Sequence, residues 1–247
     1  MIRRIFAFLV ALAVLFCTMA AFAEDDDDED DEDWMDDEDE ELLEDFDEEE
    51  NKVDFRTMGY DVETFDDGDF CFRLTDDKKS AILISYTGDD PVAVFPETVS
   101  HPPEVPEPVP VVAIDNCMSQ SNLVIETVQI PGTISVIGNL AFATCPKLKN
   151  VILAEGICEL GKSCFGGCEE LEEISLPESV EVIPLGAFAN CPQLREVSCG
   201  ANLKTIEFRA FYMCPVLTKV RIPDKDSVEI DPNAFEECSP DVQIVTE

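Results

Sequence analysis

The sequence is poor in histidine and in basic side chains, and each shortage excludes a class of function. One histidine in 247 residues leaves Ser–His and Cys–His catalytic pairs only a single position at which to assemble. Only 16 Lys and Arg stand against 55 Asp and Glu, and the formal net charge of −39 repels nucleic-acid phosphates. No apolar run has the roughly 20 residues that a membrane-spanning helix needs. We therefore expect no nucleic-acid partner and no membrane insertion of the mature chain.

The first 23 residues have the organisation of a secretory signal peptide. Arg3 and Arg4 give a positive start, and an apolar run follows from residue 5 to residue 16. Ala21-Phe22-Ala23 has the small-residue form of a cleavage site. We predict that residues 1–23 are removed after Ala23, and that the mature protein is secreted or lies at the cell surface.

Residues 24–52 are predicted to be a disordered acidic segment. Positions 24–50 hold 22 acidic residues and no basic one, so like charges repel and little apolar surface offsets the entropy of ordering. A solvated spacer is one interpretation. Two others stay open: weak, diffuse calcium binding by the carboxylates, or electrostatic tethering to a basic partner. The apolar residues that interrupt the acids and could dock in the second case are Trp34, Met35, Leu42, Leu43 and Phe46.

Residues 116–247 carry a repeat. The repeat shows in five phenylalanines, each followed three residues later by a cysteine: Phe142, Phe165, Phe188, Phe211 and Phe235, with Cys145, Cys168, Cys191, Cys214 and Cys238. The first four phenylalanines are 23 residues apart, and such a period is typical of a leucine-rich repeat solenoid. The predicted fold class is an α/β solenoid, a leucine-rich repeat stack of about five 23-residue coils with parallel strands, preceded by a small β-hairpin cap. A degenerate first coil begins at Val111.

Residues 53–115 are predicted to form this N-terminal β cap, which ends in a proline-rich loop. Alternating apolar residues and turn signals predict strands at 70–74, 81–86 and 92–95. Six prolines between positions 96 and 110 predict an extended surface loop, in which the single histidine, His101, is exposed. The cap is placed to cover the apolar end of the first coil.

The cysteines that share the repeat column are predicted to point into the core and to satisfy backbone groups. Neighbouring coils lie within the reach of a disulfide, but parallel side chains in a packed core are poorly aimed for one. Cys164 and Cys199 replace apolar core residues, whereas Cys158 and Cys71 are predicted to be exposed. Because the 23-residue spacing spreads the thiols along the stack, no zinc site is expected.

The repeat resembles the BspA-like (Treponema-type) leucine-rich repeats. The family form I-P-x-x-h-x-x-I-G-x-x-A-F-x-x-C-x-x-L-x-x-V stands here as Ile130-Pro131, Ile137-Gly138, Ala141-Phe142, Cys145, Leu148 and Val151. The resemblance covers about residues 70 to 245. It implies export, a secreted or surface location, and binding to proteins or other cells. It offers no shared catalytic residues to carry over, and the acidic segment is not part of its pattern.

Because strand residues alternate, the outward positions of stacked strands form one surface, which we expect to be the concave face of the solenoid. The candidate partner-binding residues are Lys149, Asn150, Ile152, Glu173, Ser175, Arg195, Glu196, Ser198, Lys219 and Arg221. This surface changes from acidic in the middle to basic towards the C-terminal end. The predicted function is non-catalytic binding of a protein or glycan partner, without a cofactor, a metal or catalytic residues. The alternative is calcium binding or tethering by the acidic segment.

Overall fold

The computed structural model of the protein describes residues 64–101, 105–119, 122–224 and 226–246. The predicted signal peptide, the predicted acidic segment and the first residues of the predicted cap lie outside these ranges. The described residues contain strands and turns but no helix, so the α/β part of the predicted fold class is wrong. The fold is a β-solenoid of about six turns.

Tight turns take the place that a helix would occupy in each coil. Residues 161–172, between two strands, consist of consecutive turns. Within them Ser163 and Gly167 adopt left-handed backbone conformations, with φ of 51° and 74°. A left-handed residue cannot continue a right-handed helix. The same conformation recurs one coil earlier at Leu140 and Thr144 and one coil later at Gly186 and Asn190.

The first six strands form the N-terminal part of the fold. They are β1 (Thr64–Asp67), β2 (Phe70–Leu74), β3 (Ala81–Tyr86), β4 (Val92–Val94), β5 (Thr98–His101) and β6 (Val105–Ile114). Strands β1, β2 and β3 pair antiparallel, which agrees with the predicted hairpins, although β1 was not predicted. Its signal was Asp67-Gly68, since Gly68 has a φ of 64° in the two-residue turn that joins β1 to β2.

The proline-rich segment is a β-hairpin and not the predicted surface loop. Strands β5 and β6 pair antiparallel, with Thr98 opposite Pro110. In β6 the prolines occupy alternate positions, at Pro106, Pro108 and Pro110. A strand needs only every second amide to bond with one neighbour, so alternate prolines leave this pairing intact. The amide of Val111 donates to the Glu97 carbonyl at 2.9 Å.

Eleven further strands build the solenoid in two parallel sets. The long-strand sheet has β7 (Thr127–Ile130), β9 (Asn150–Leu153), β11 (Glu173–Ser175), β13 (Glu196–Ser198), β15 (Lys219–Ile222) and β17 (Gln243–Thr246). The short-strand sheet has β8 (Val136–Ile137), β10 (Glu159–Leu160), β12 (Val182–Ile183), β14 (Thr205–Ile206) and β16 (Glu229–Ile230). Strand pairing is interrupted once in each set, between β9 and β11 and between β10 and β12. Strand β4 extends the first sheet beside β7, and β3 and β6 extend the second beside β8. The N-terminal strands therefore continue the stack directly.

The phenylalanine column forms a continuous stack of rings through the core. Successive rings from Phe142 to Phe235 lie 5.3 to 5.7 Å apart, with planes within 10° of parallel. The first four rings are fully buried, and Phe235 is half-buried. At the other end Phe95 packs edge-on against Phe142 at 5.8 Å. The predicted covering of the first coil is thus made by an aromatic side chain that follows β4.

The column cysteines point inward, as predicted, and each donates a hydrogen bond to the preceding coil. The bonds run from Sγ to a carbonyl oxygen: Cys145 to Ser119, Cys168 to Phe142, Cys191 to Phe165, Cys214 to Phe188, and Cys238 to Phe211, at 2.8 to 3.4 Å. All ten described cysteines are free thiols. Burial raises the pKa of Cys145 and Cys191 to about 12, because the thiolate would lose its solvation.

The cysteines outside the column largely follow their predicted places. Cys164 is fully buried and Cys199 is half-buried, while Cys158 is exposed. Cys71 is half-buried instead of exposed, and burial is the largest cause of its raised pKa. Cys158 is therefore the exposed thiol of the described chain.

We predict that Phe165→Ala lowers the free energy of unfolding by about 3–5 kcal/mol, because it leaves a cavity in the middle of the stack. Urea denaturation followed by circular dichroism measures this change. Ile152→Ala is the control, since Ile152 is 54% exposed and its truncation should change stability by less than about 0.5 kcal/mol. Equal effects of the two substitutions would contradict the importance of the ring stack.

We also predict that iodoacetamide at mildly alkaline pH labels Cys158 in the folded protein and leaves Cys145, Cys168 and Cys191 unlabelled until the chain is unfolded. Exposure gives Cys158 access to the reagent, whereas burial denies the column thiols both access and ionisation. Peptide mass spectrometry reads the sites, with Cys158→Ser as the control. Rapid labelling of the column thiols, or disulfides among them, would refute the assigned structure of the core.

Candidate functional site: the strand face

The long-strand sheet presents two outward rows of side chains on either side of a buried column. The buried column is Ala93, Val128, Val151, Ile174, Val197 and Val220. The first row is Val92, Thr127, Asn150, Glu173, Glu196, Lys219 and Gln243, and the second row is Val94, Gln129, Ile152, Ser175, Ser198, Arg221 and Val245. We call these two rows the strand face. They arise because side chains alternate along a strand while parallel register keeps like positions adjacent.

The structure brings the predicted contact residues together. Eight of the ten lie in the two rows of the strand face, and Lys149 and Arg195 directly precede β9 and β13 at its edge. Their role in contacting a partner stays a prediction. The sequence analysis missed Val92 and Val94, because β4 was interpreted as part of the cap alone. It also missed Thr127 and Gln129, although both flank Val128, which starts the first clear repeat.

The C-terminal half of the strand face has basic side chains paired with one acid. Glu196 accepts a hydrogen bond from Arg221 Nε at 2.6 Å, and Lys219 Nζ lies 3.6 Å from its other carboxylate oxygen. The Arg221 hydrogen bond is the main cause of the lowered pKa of Glu196. The predicted change towards basic charge at this end is therefore partly neutralised, while Arg195 at the edge is exposed.

The N-terminal half has an acidic edge. Lys149 Nζ lies 2.9 Å from Glu170 Oε2, and this contact is the main cause of the raised pKa of Lys149. Glu126 and Glu172 raise the pKa of the same amine further, so both carboxylates lie near it. One lysine thus faces three glutamates, and Glu173 adds a fourth carboxylate on the face itself.

A shallow depression of about 310 Å³ lies across β7, β9 and β11 in this half. Thr127, Asn150, Ile152, Glu173 and Ser175 line it from the two outward rows. Asn150 Nδ2 donates to Thr127 Oγ1 at 3.2 Å, which fixes its amide at the rim. The depression therefore combines an exposed aliphatic side chain, a carboxylate and several neutral polar groups.

The single histidine of the chain lies outside the strand face. His101 lies on β5, half-buried and stacked on Phe65 with ring centroids 4.1 Å apart, which corrects the prediction that it is simply exposed. Among the described residues, no three His, Cys, Asp or Glu side chains are grouped so that they could hold a metal ion. The same part of the chain contains no helix suited to crossing a membrane.

Two solved structures at 28% identity share this architecture. A leucine-rich cell surface protein from Faecalibacterium prausnitzii matches with a TM-score of 0.56, over 74% of this chain and 54% of that one. A leucine-rich repeat protein from T. pallidum matches with a TM-score of 0.58, over 64% of this chain and 71% of that one. The chain therefore spans about half the length of the first relative.

A third similarity shows the fold alone. The pneumococcal vaccine antigen PcpA is 20% identical, with a TM-score of 0.60 over 72% of this chain and 48% of that one. A search of the curated proteins gives no match. The model of the BspA type leucine rich repeat region, in six copies, matches residues 114–240. The chain belongs to the BspA-type leucine-rich repeat family.

Proposed function

We propose that this protein is a secreted or cell-surface, non-catalytic recognition module that binds a protein or glycan partner through the strand face. The observation that carries the proposal is the strand face itself: two rows of outward side chains on two successive parallel ladders, β4-β7-β9 and β11-β13-β15-β17. Repeat stacks present such rows as an extended binding surface. Neutral polar, acidic and basic groups follow one another along it, which suits a partner with a polar surface.

The surface location rests on two supports. The predicted signal peptide directs the chain out of the cytoplasm, and the F. prausnitzii relative is described as a cell surface protein. The non-catalytic role follows the family, whose repeats generally serve as binding modules. In this chain the inward side chains pack in the core, so only the outward side chains can contact a partner.

We predict that labelled protein, residues 24–247, binds to intact target cells or to a glycan array, and that Ser175→Lys with Ser198→Glu weakens this binding at least about tenfold. The two serines are paired in register on β11 and β13, so the changes place opposite charges in the middle of the strand face. Flow cytometry and array fluorescence measure the affinity. Protease treatment of the cells separates a protein partner from a glycan partner.

The matched control is Val182→Lys with Thr205→Glu. These residues are paired in register on β12 and β14, so the same two side chains enter the short-strand sheet instead. We expect the control to bind as the unchanged protein does. If the serine variant binds normally, or if both variants lose binding equally, the strand face is not the recognition surface.

A further inference from the structure

The N-terminal half of the strand face exposes several large aliphatic side chains to water, which is unfavourable unless a partner covers them. Val92 and Val94 on β4 are 44% and 58% exposed, and Ile152 on β9 is 54% exposed. Register places Val94, Gln129 and Ile152 side by side along the second row. Val92 and Val94 share one strand, and Gln129 separates Val94 from Ile152 in the row. Exposed aliphatic residues grouped on one surface mark an interaction site more often than scattered ones do.

The charge next to this aliphatic strip is acidic. Glu173 is exposed in the first row of β11, and no described side chain pairs with it. Glu126, Glu170 and Glu172 lie around Lys149 at the neighbouring edge, so four carboxylates stand against one amine. The complementary ligand is therefore a cation with an apolar stem.

The two groups that such a ligand needs line one depression. Ile152 is in the second row of β9 and Glu173 in the first row of the neighbouring β11, and both line the depression of about 310 Å³. Strand pairing is interrupted between β9 and β11, so the depression lies where the ladder β4-β7-β9 meets the ladder β11-β13-β15-β17. A lysine or arginine side chain combines an apolar stem with a charged end, so one such side chain in the depression can contact both Ile152 and Glu173.

We propose that this half of the strand face binds a lysine or arginine side chain of a protein partner, with the aliphatic stem against Ile152 and the charged end beside Glu173. The proposal rests on the proposed recognition function and specifies its partner as a cationic protein segment. A neutral glycan would leave the excess carboxylates without a positively charged partner. A second copy of this chain is a weaker occupant, because its Lys219 and Arg221 already pair with Glu196.

The test uses two short synthetic peptides that differ only at the centre, Val-Lys-Val against Val-Gln-Val, titrated into the methyl-labelled protein of residues 24–247. NMR reads both the affinity and the site. We expect the lysine peptide to shift the Ile152 methyl signal and the amide signals of Asn150 and Ser175, and the glutamine peptide to leave them unchanged. Because shifts are assigned residue by residue, attraction to the acidic N-terminal segment is seen separately.

The decisive comparison is between two charge reversals. Glu173→Lys should weaken lysine-peptide binding at least about tenfold, because it replaces attraction by repulsion. Glu159→Lys changes the net charge equally, but at an exposed position on β10 of the short-strand sheet, and should leave binding within about twofold. Glu173→Gln, which removes the charge without reversing it, should give a loss of about threefold and serves if the lysine variant does not fold.

Each of the following results would overturn the proposal. Equal binding of the two peptides, equal loss in both charge reversals, or shifts that map away from β9 and β11 would each show that the site does not select a basic side chain. A dimer in sedimentation velocity that Glu173→Lys converts to monomer would show that a second copy occupies this face. If a cell-surface partner is lost with the serine variant but retained by Glu173→Lys, the recognition function stands and this inference fails.

Discussion

The structure depends on the stacking of one coil on the next. A single 23-residue coil is too thin to enclose its own apolar side chains, so each coil completes the core of its neighbour. The ring stack from Phe95 through Phe142 to Phe235 shows this dependence, because each ring packs against a ring of the next coil. Each buried ring contributes roughly 1.5–3 kcal/mol by leaving water, and the thiol-to-carbonyl bonds that connect successive coils satisfy backbone groups beside it.

The same constraint determines where function can lie. Because the inward columns are filled by like residues from coil to coil, variation between coils is concentrated in the outward rows. Along the first row the sequence passes from Val92 through Asn150 and Glu173 to Lys219, while the buried column beside it stays aliphatic throughout. A partner that spans several strands therefore meets a different chemical group at each step, and this provides specificity without any change in the fold.

Periodicity predicted the buried columns well and the irregular parts poorly. The phenylalanine and cysteine columns repeat in residue type, so their burial followed from spacing alone. The left-handed turn positions repeat in backbone conformation but not in residue type. Leu140, Ser163 and Gly186 occupy equivalent positions and all have a positive φ, but their side chains differ. The sequence therefore contained no indication that turns replace a helix. The β5–β6 hairpin was not predicted, because proline is uncommon within strands. Most of the candidate site was found, but Val92 and Val94 precede the repeat and could not be aligned with it.

Native-state hydrogen exchange measures whether the coils form one cooperative stack. The amides to follow are those of the buried strand column from Val128 to Val220. We expect them to exchange with one common free energy, equal to that of global unfolding, because no coil retains its core alone. Separate and much lower free energies for individual coils would contradict it.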